Sequence, residues 1–344
     1  MLVFVLCALL AGAQPEPPEA MSLARKAYEL ARSGQMEQAV SALERAITLA
    51  PRNPLYRSAL GGIYEREHKL PQAADAFAEA VRLDPANTSF RLRLAQLQAR
   101  NGNNEAAYSN VLRVLELDAA NASAKELLEA VSLDWGAELA RADRNRRGLA
   151  LARDSARRYP QSARVQLMLG LFETRNQQNL NAVAAYSRAV ELDPQSAEAN
   201  VGLGIAQSNA GLLREAQATF EAGIRRFPGD PAHRQAYGVL LIKLAEAGAA
   251  PEARAIEMFH SALKLDPNLA EAHYQLGKLA LNHDDARTAA SHFEAAAKNG
   301  LDDSRLHYAA ARALRRLGNT AEAEKHVRLF QLRKEAEQAV LSRP

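Results

Sequence analysis

The sequence predicts an all-α fold: a solenoid of about nine stacked helix-turn-helix repeats with a C-terminal capping helix. Three observations carry this: a period of 34 residues, two amphipathic stretches inside each period, and a composition rich in Ala and without long β-branched runs. The period shows in Leu83-Asp84-Pro85, Leu192-Asp193-Pro194 and Leu265-Asp266-Pro267, with related endings at Leu49-Ala50-Pro51, Leu117-Asp118-Ala119, Arg158-Tyr159-Pro160 and Arg226-Phe227-Pro228. Pro51 to Pro85, Pro85 to Ala119, Pro160 to Pro194 and Pro194 to Pro228 are each 34 residues. A supersecondary unit repeated at such a period buries its apolar face only by stacking on its neighbours.

Within residues 54–87, Leu60, Gly61 and Tyr64 stand at helical spacing in the first half. Ala73, Phe77 and Ala80, at i, i+4 and i+7, make one stripe in the second. The second stripe recurs as Ala216-Phe220-Gly223, Ala255-Phe259-Ala262 and Ala289-Phe293-Ala296. Small residues let two helices cross closely, and the aromatic ring fills the space between them. Gly34, Gly102, Gly211 and Gly318 fall at the turn inside the pair, where a left-handed residue ends a helix. Proline then blocks continuation of the second helix. Repeats begin near Ala20, Pro54, Thr88, Ala122, Ala163, Ala197, Pro231, Ala270 and Ser304. Two are irregular: the fourth (122–162) runs to about 41 residues, with weak signature positions around Trp135 and Gly148, and the seventh (231–269) has about five extra residues near 247–251. The solenoid spans 20–328. The segment 329–344, containing LRKEAEQAVL, reads as a solubilising capping helix and tail.

Residues 1–13, MLVFVLCALLAGA, are uncharged, mostly apolar and too short to span a bilayer. They end in Ala11-Gly12-Ala13, a small-x-small pattern suited to signal peptidase, followed by a Pro-rich linker over 14–19. A signal peptide cleaved after Ala13 is expected, although no Lys or Arg precedes the apolar run. Lipidation at Cys7, the only cysteine, is a rival reading, and Val5-Leu6 fits it poorly. The mature chain would then hold no disulfide, have no integral membrane span, and reside in the periplasm or cell envelope.

The 43 basic and 40 acidic residues balance to +3. The pairs Arg146/Arg147, Arg157/Arg158, Arg225/Arg226 and Arg315/Arg316 are scattered among carboxylates, whereas a duplex binder gathers its cations on one face. Nucleic acid is therefore not an expected partner. No H-E-x-x-H, G-x-S-x-G, Walker loop, G-x-G-x-x-G or C-x-x-C occurs. No catalytic residue, metal or cofactor is expected. Asp284/Asp285 and Asp302/Asp303 read as helix caps. His260, His273, His283, His292 and His307 cluster in the last repeats, with His273 and His307 34 residues, one period, apart. A metal would need a third converging ligand, so core or interface histidines are the expectation.

These residues resemble the tetratricopeptide repeat, a 34-residue helix-turn-helix unit stacked into a right-handed solenoid. The resemblance covers nearly the whole chain after residue 20. It implies that a protein or peptide partner docks along the concave face, on the first helix of each pair. The corresponding columns in repeats five to seven hold Leu167, Leu171, Val201, Ile205, Val239 and Ile242, an apolar groove suited to an amphipathic helix or extended apolar peptide. In repeats eight and nine they hold Tyr274, Lys278, Tyr308 and Arg312, a patch suited to an acidic segment or a C-terminal carboxylate. Packing between repeats is the competing account of the apolar set. Arg32, Arg66, Arg100, Arg175, Lys243 and Arg316 share position thirteen, where a cation is ordinary for the family and complements a helix C-terminus. Ala24, Tyr28 and Ala59 replace residues of the carboxylate clamp found in co-chaperone members, and the Asn ladder of glycosyltransferase-linked members is missing too. The expectation is a protein-interaction scaffold in the bacterial cell envelope. A narrower alternative is a periplasmic assembly subunit of a polysaccharide or protein secretion machine, and a more remote one is a metal-dependent enzyme built on the histidines.

Overall fold

A computed structural model describes residues 16–341; the expected signal peptide and Cys7 lie outside them. The described residues form eighteen α-helices and no strand. The chain divides into two compact bodies after Tyr159. The N-terminal body holds repeats one to four: α1 (Pro18–Arg32) and α2 (Met36–Leu49), α3 (Pro54–Arg66) and α4 (Leu70–Leu83), α5 (Thr88–Arg100) and α6 (Asn104–Leu117), α7 (Ala122–Arg141) and α8 (Asn145–Arg158). The C-terminal body holds repeats five to nine: α9 (Ala163–Arg175) and α10 (Asn179–Leu192), α11 (Ala197–Asn209) and α12 (Leu213–Arg226), α13 (Pro231–Glu246) and α14 (Glu252–Leu265), α15 (Ala270–Asn282) and α16 (Ala286–Lys298), α17 (Ser304–Arg316) and α18 (Thr320–Leu341). Within each body consecutive helices pack on one another, as the period predicts.

Local chemistry sets the boundaries. Seven of the nine first helices start behind a polar cap whose side chain accepts a hydrogen bond from an otherwise unpaired backbone N–H; α1, behind Pro17, and α15, behind Leu269, do not. Asn87 serves α5, Asn121 α7, Ser162 α9, Ser196 α11 and Asp303 α17. The turn inside each pair carries one residue with positive φ. Five are glycines, among them Gly34 at +83° and Gly211 at +80°. The other four are His68, Asp143, Gln177 and Asp284, at +53° to +61°. The turn is thus fixed by the packing of its two helices, which holds non-glycine residues in the left-handed region.

The core is a column of small-against-large contacts. A Cβ added to Gly61 would lie 2.6 Å from the Phe77 ring; at Gly204 it would meet Phe220 at 2.5 Å, at Gly238 Phe259 at 2.7 Å, and at Gly277 Phe293 at 2.6 Å. Each first helix lacks a side chain where the second helix inserts its ring. Where that column carries Ala27 or Ala95, the second helix offers Leu43 or Val111 instead, all four buried. This pairing reproduces the stripe predicted from the sequence.

Repeat seven keeps this core, with Gly238 against Phe259, while repeat four keeps the helical register without the ring. Helix α7 has 20 residues where α5 has 13. Seven extra residues make about two turns, so the apolar stripe returns to the same face. In repeat seven, α13 has 16 residues, one turn more than α11, and the remaining extra length sits in the loop before α14. The boundary expected at 328 falls inside α18, one continuous helix of 22 residues. The segment meant as a separate cap therefore continues the second helix of repeat nine. Its Glu337 accepts hydrogen bonds from the backbone N–H and hydroxyl of Ser304, so the tail closes the N-terminus of α17.

Candidate functional site

In the C-terminal body the first helices α9, α11, α13, α15 and α17 touch in succession and line one face. Leu167, Leu171, Val201, Val239 and Ile242 are half-buried there, and Ile205 is 38% exposed. Leu167 leans on the core around Tyr186, and Val239 and Ile242 lean on the core around Phe259. These side chains therefore do two things at once: one flank completes the packing between helices, and the other remains open to solvent.

The basic end is less uniform than its sequence. Tyr274 is only 6% exposed, with its ring 6.0 Å from Phe293. Lys278 Nζ lies 5.8 Å above that ring and the Arg305 guanidinium 5.2 Å from it. Arg305 is itself held by Asp303 at 2.7 Å and Glu271 at 3.4 Å. Tyr308 is 54% exposed, with Arg312 5.8 Å over one side and Phe330 of α18 5.6 Å away. Of the two tyrosines, Tyr308 offers a face and Tyr274 acts as the floor beneath Lys278. A cavity of about 250 Å³ is lined by Ile242 and Ala245 of α13, by Lys278 and Leu279 of α15, and by two carboxylates, Glu246 and Glu252. The last apolar position of the row and the first cation thus share one depression.

Three of the position-thirteen cations reach back to the preceding repeat. Arg66 donates to the Ala31 carbonyl at 3.1 Å and Arg316 to the Leu281 carbonyl at 2.7 Å, each 35 residues back. Lys243 reaches Ser208 at 3.1 Å. Each satisfies a group at the C-terminal end of the preceding first helix and stitches neighbouring repeats.

The histidines pair across helices. His273 meets His292, and His307 meets His326, which sequence reasoning passed over although it lies 34 residues after His292. His283 contacts Glu252, and His233, fully buried, bridges Asp230 and Asn200. Among the described residues no three His, Cys, Asp or Glu side chains converge as metal ligands, and no helix is long and apolar enough to cross a membrane.

Two family models, both described as tetratricopeptide repeat, match the chain. One matches residues 24–88, 64–124, 133–197 and 274–337, and the other residues 173–240. No curated protein matches. Among solved structures, YrrB, described as a tetratricopeptide-repeat protein with an unusual peptide-binding site, is 24% identical and covers 58% of this chain and 96% of its own, with a TM-score of 0.45. A tetratricopeptide-repeat protein from Parabacteroides merdae is 19% identical over 87% of this chain and 100% of its own, TM-score 0.40. Yeast Tom70 is 16% identical over 92% and 76%, TM-score 0.42. These likenesses concern the fold and carry no argument about a ligand.

Proposed function

The chain belongs to the tetratricopeptide repeat family, and from that premise we propose that it is a protein-interaction scaffold that docks a partner peptide or protein on the first-helix face of its C-terminal body. One observation supports the reading above the others. The row Leu167, Leu171, Val201, Ile205, Val239 and Ile242 keeps one flank open to solvent and runs into Lys278 and then Arg312. Scattered surface leucines need no explanation, but a row of apolar side chains continued by cations marks a binding surface. The partner that fits is an amphipathic helix or extended segment, apolar over three repeats and acidic where it reaches repeats eight and nine. There Arg supplies a forked donor set and Tyr308 a stiff contact surface.

The site of action belongs to the same proposal. The apolar run at 1–13 ending in Ala11 and Ala13 supports export and action in the cell envelope. Intact-mass measurement of the protein recovered from its cells should show a chain beginning at Gln14; a cytosolic species retaining residues 1–13 rejects the location. A narrower version makes the protein an assembly subunit of a polysaccharide or protein secretion machine. Photo-crosslinking from position 205, in place of Ile205, separates the versions: a secretion component at that position supports the narrower one, and other partners reject it. The docking face is tested by Leu171→Glu with Ile205→Glu. The folded variant should lose the crosslinked partner seen with a label at Tyr308. Undiminished crosslinking would reject the apolar row as part of the site.

A further inference from the structure

His273 on α15 and His292 on α16 face each other with Nδ1 to Nδ1 at 3.0 Å, and their ring centroids are 5.3 Å apart. One period later His307 on α17 and His326 on α18 repeat the arrangement, at 3.0 Å and 5.2 Å. His307 is buried and His292 and His326 are half-buried. Neither pair belongs to the docking face.

Two ring nitrogens at this separation share one hydrogen, since a neutral imidazole donates from one nitrogen and accepts at the other. The outer nitrogens decide the direction. Nε2 of His273 lies 3.1 Å from the Pro267 carbonyl, and Nε2 of His307 lies 2.8 Å from Asp302 Oδ1. Both partners can only accept, so both Nε2 atoms donate. In the neutral pairs His273 and His307 therefore present bare Nδ1 atoms, and His292 and His326 donate to them. One further proton is accommodated on Nε2 of His292 or His326. A second is not, because it would set a hydrogen on each of two Nδ1 atoms 3.0 Å apart.

We propose that the two histidine pairs are proton-dependent clasps, holding α15 to α16 and α17 to α18 near neutral pH and releasing them on acidification. The titratable and charged groups around them are few. His292 faces His273 from α15 and His260 from α14, while His326 faces His307 from α17 and Glu322 from its own helix. Burial, and then the neighbouring histidines, holds both His292 and His326 below the ordinary histidine value of 6.5; Glu322 opposes the shift at His326. Asp302 is kept ionised by its bonds from His307 and Arg333, so the outer anchor of the second clasp outlasts the clasp itself.

The sign follows from proton counting. Well above the ordinary value His292 and His326 are neutral in the closed and the open segment alike, and the clasps contribute fully. Below it the open segment binds protons that the closed one refuses, so stability falls with pH. One refused proton per clasp shifts its closed–open equilibrium by up to about tenfold per pH unit, and two clasps by up to about a hundredfold.

Tyr274 and Tyr308 directly follow His273 and His307, so opening would also disturb Lys278 and Arg312. Control of partner affinity by pH therefore rests on the docking site proposed above. The clasps are read on the unliganded protein, so the two ideas can fail separately.

The test is amide hydrogen exchange of the full chain from about pH 7.5 to about pH 5.5, corrected for chemical exchange, with the N-terminal body as internal control. In the natural protein the opening of α15–α18 should rise roughly tenfold or more per pH unit at the acidic end. His292→Asn with His326→Asn keeps a side-chain donor that can also turn its carbonyl toward Nδ1, and should flatten that dependence. An equal pH dependence in the variant and the natural protein overturns the proposal. Should the variant not fold, ¹⁵N imidazole spectra of the natural protein decide the matter. Near neutral pH His292 and His326 must be Nδ1–H tautomers, and Nε2–H tautomers at both overturn the clasps.

Discussion

In repeat eight, Phe293 of α16 fills the space over Gly277 of α15; in repeat four no aromatic stands in that column of α8, whose buried residues are Gly148, Leu151, Ala152 and Ser155. Repeat four takes its rings from elsewhere. Tyr108 of the preceding repeat packs 5.3 Å from Trp135, which lies under Arg147 at 5.8 Å. The Tyr108 hydroxyl donates to Asp154 at 2.6 Å, and Asp154 also accepts from Arg157 at 3.0 Å and Arg158 at 2.8 Å. The buried ring is thus one way to join two helices of a repeat. A polar network reaching across repeats is another, available when an insertion of two turns preserves the apolar register. The exchange leaves a trace: the Ser155 hydroxyl is buried without a hydrogen-bond partner.

Removing a ring should have the largest effect. Phe220 is 1% exposed, and Phe220→Ala should cost about 3–5 kcal/mol through lost transfer energy plus a cavity. Because repeats couple mainly to their neighbours, thermal melts of this variant should become multi-step. An unchanged melt would break the comparison at its strong end. Filling the opposite side is milder. Gly277→Ala places a methyl group 2.6 Å from the Phe293 ring and should cost about 1–3 kcal/mol, read by chemical denaturation.

In repeat four the network should have a smaller but measurable effect. Asp154→Asn should cost about 1–2 kcal/mol, the lower part of the range for charged hydrogen bonds, because the side chain is 26% exposed. Burial acts to raise the pKa of Asp154, but hydrogen bonds from Arg158, Tyr108 and Arg157 together outweigh it and hold the group below its ordinary 3.8. Its contribution is complete above that value and is lost as pH falls through the lowered one, so the natural protein and the variant should converge in strong acid. Ser155→Ala should have the smallest effect, within about 0.5 kcal/mol or slightly stabilising, since it removes a hydroxyl that is buried and unpaired. A clear loss of stability would mean that this hydroxyl is paired in solution.

The same contrast explains what could be read from the sequence. Phe77, Phe220, Phe259 and Phe293 were legible because helical spacing alone puts them on the stripe with their small neighbours. Gly34 and Gly211 were legible because glycine advertises a left-handed turn. His68, Asp143, Gln177 and Asp284 adopt the same conformation but carry no such signal, because the flanking helices impose it. The continuity of α18 contradicts the boundary expected after residue 328, and the LFQLRK that follows contains no Gly or Pro to stop a helix. Among the site residues, helical geometry sufficed to assign the columns. The burial of Tyr274 was not legible, since it depends on Phe293 and on Arg305 of the following repeat.

The central claim is that the first-helix face of the C-terminal body binds a segment that is apolar and then acidic. The direct measurement is the affinity of a fluorescein-labelled peptide, leucine-rich in one half and ending in glutamates, for the natural protein and for Lys278→Glu with Arg312→Glu, at two salt concentrations. We predict that the natural protein binds and that the folded variant binds more than tenfold more weakly, a loss above about 1.4 kcal/mol, with a shallower salt dependence. Equal affinity and equal salt dependence in the two proteins, or no binding to either, would contradict the account.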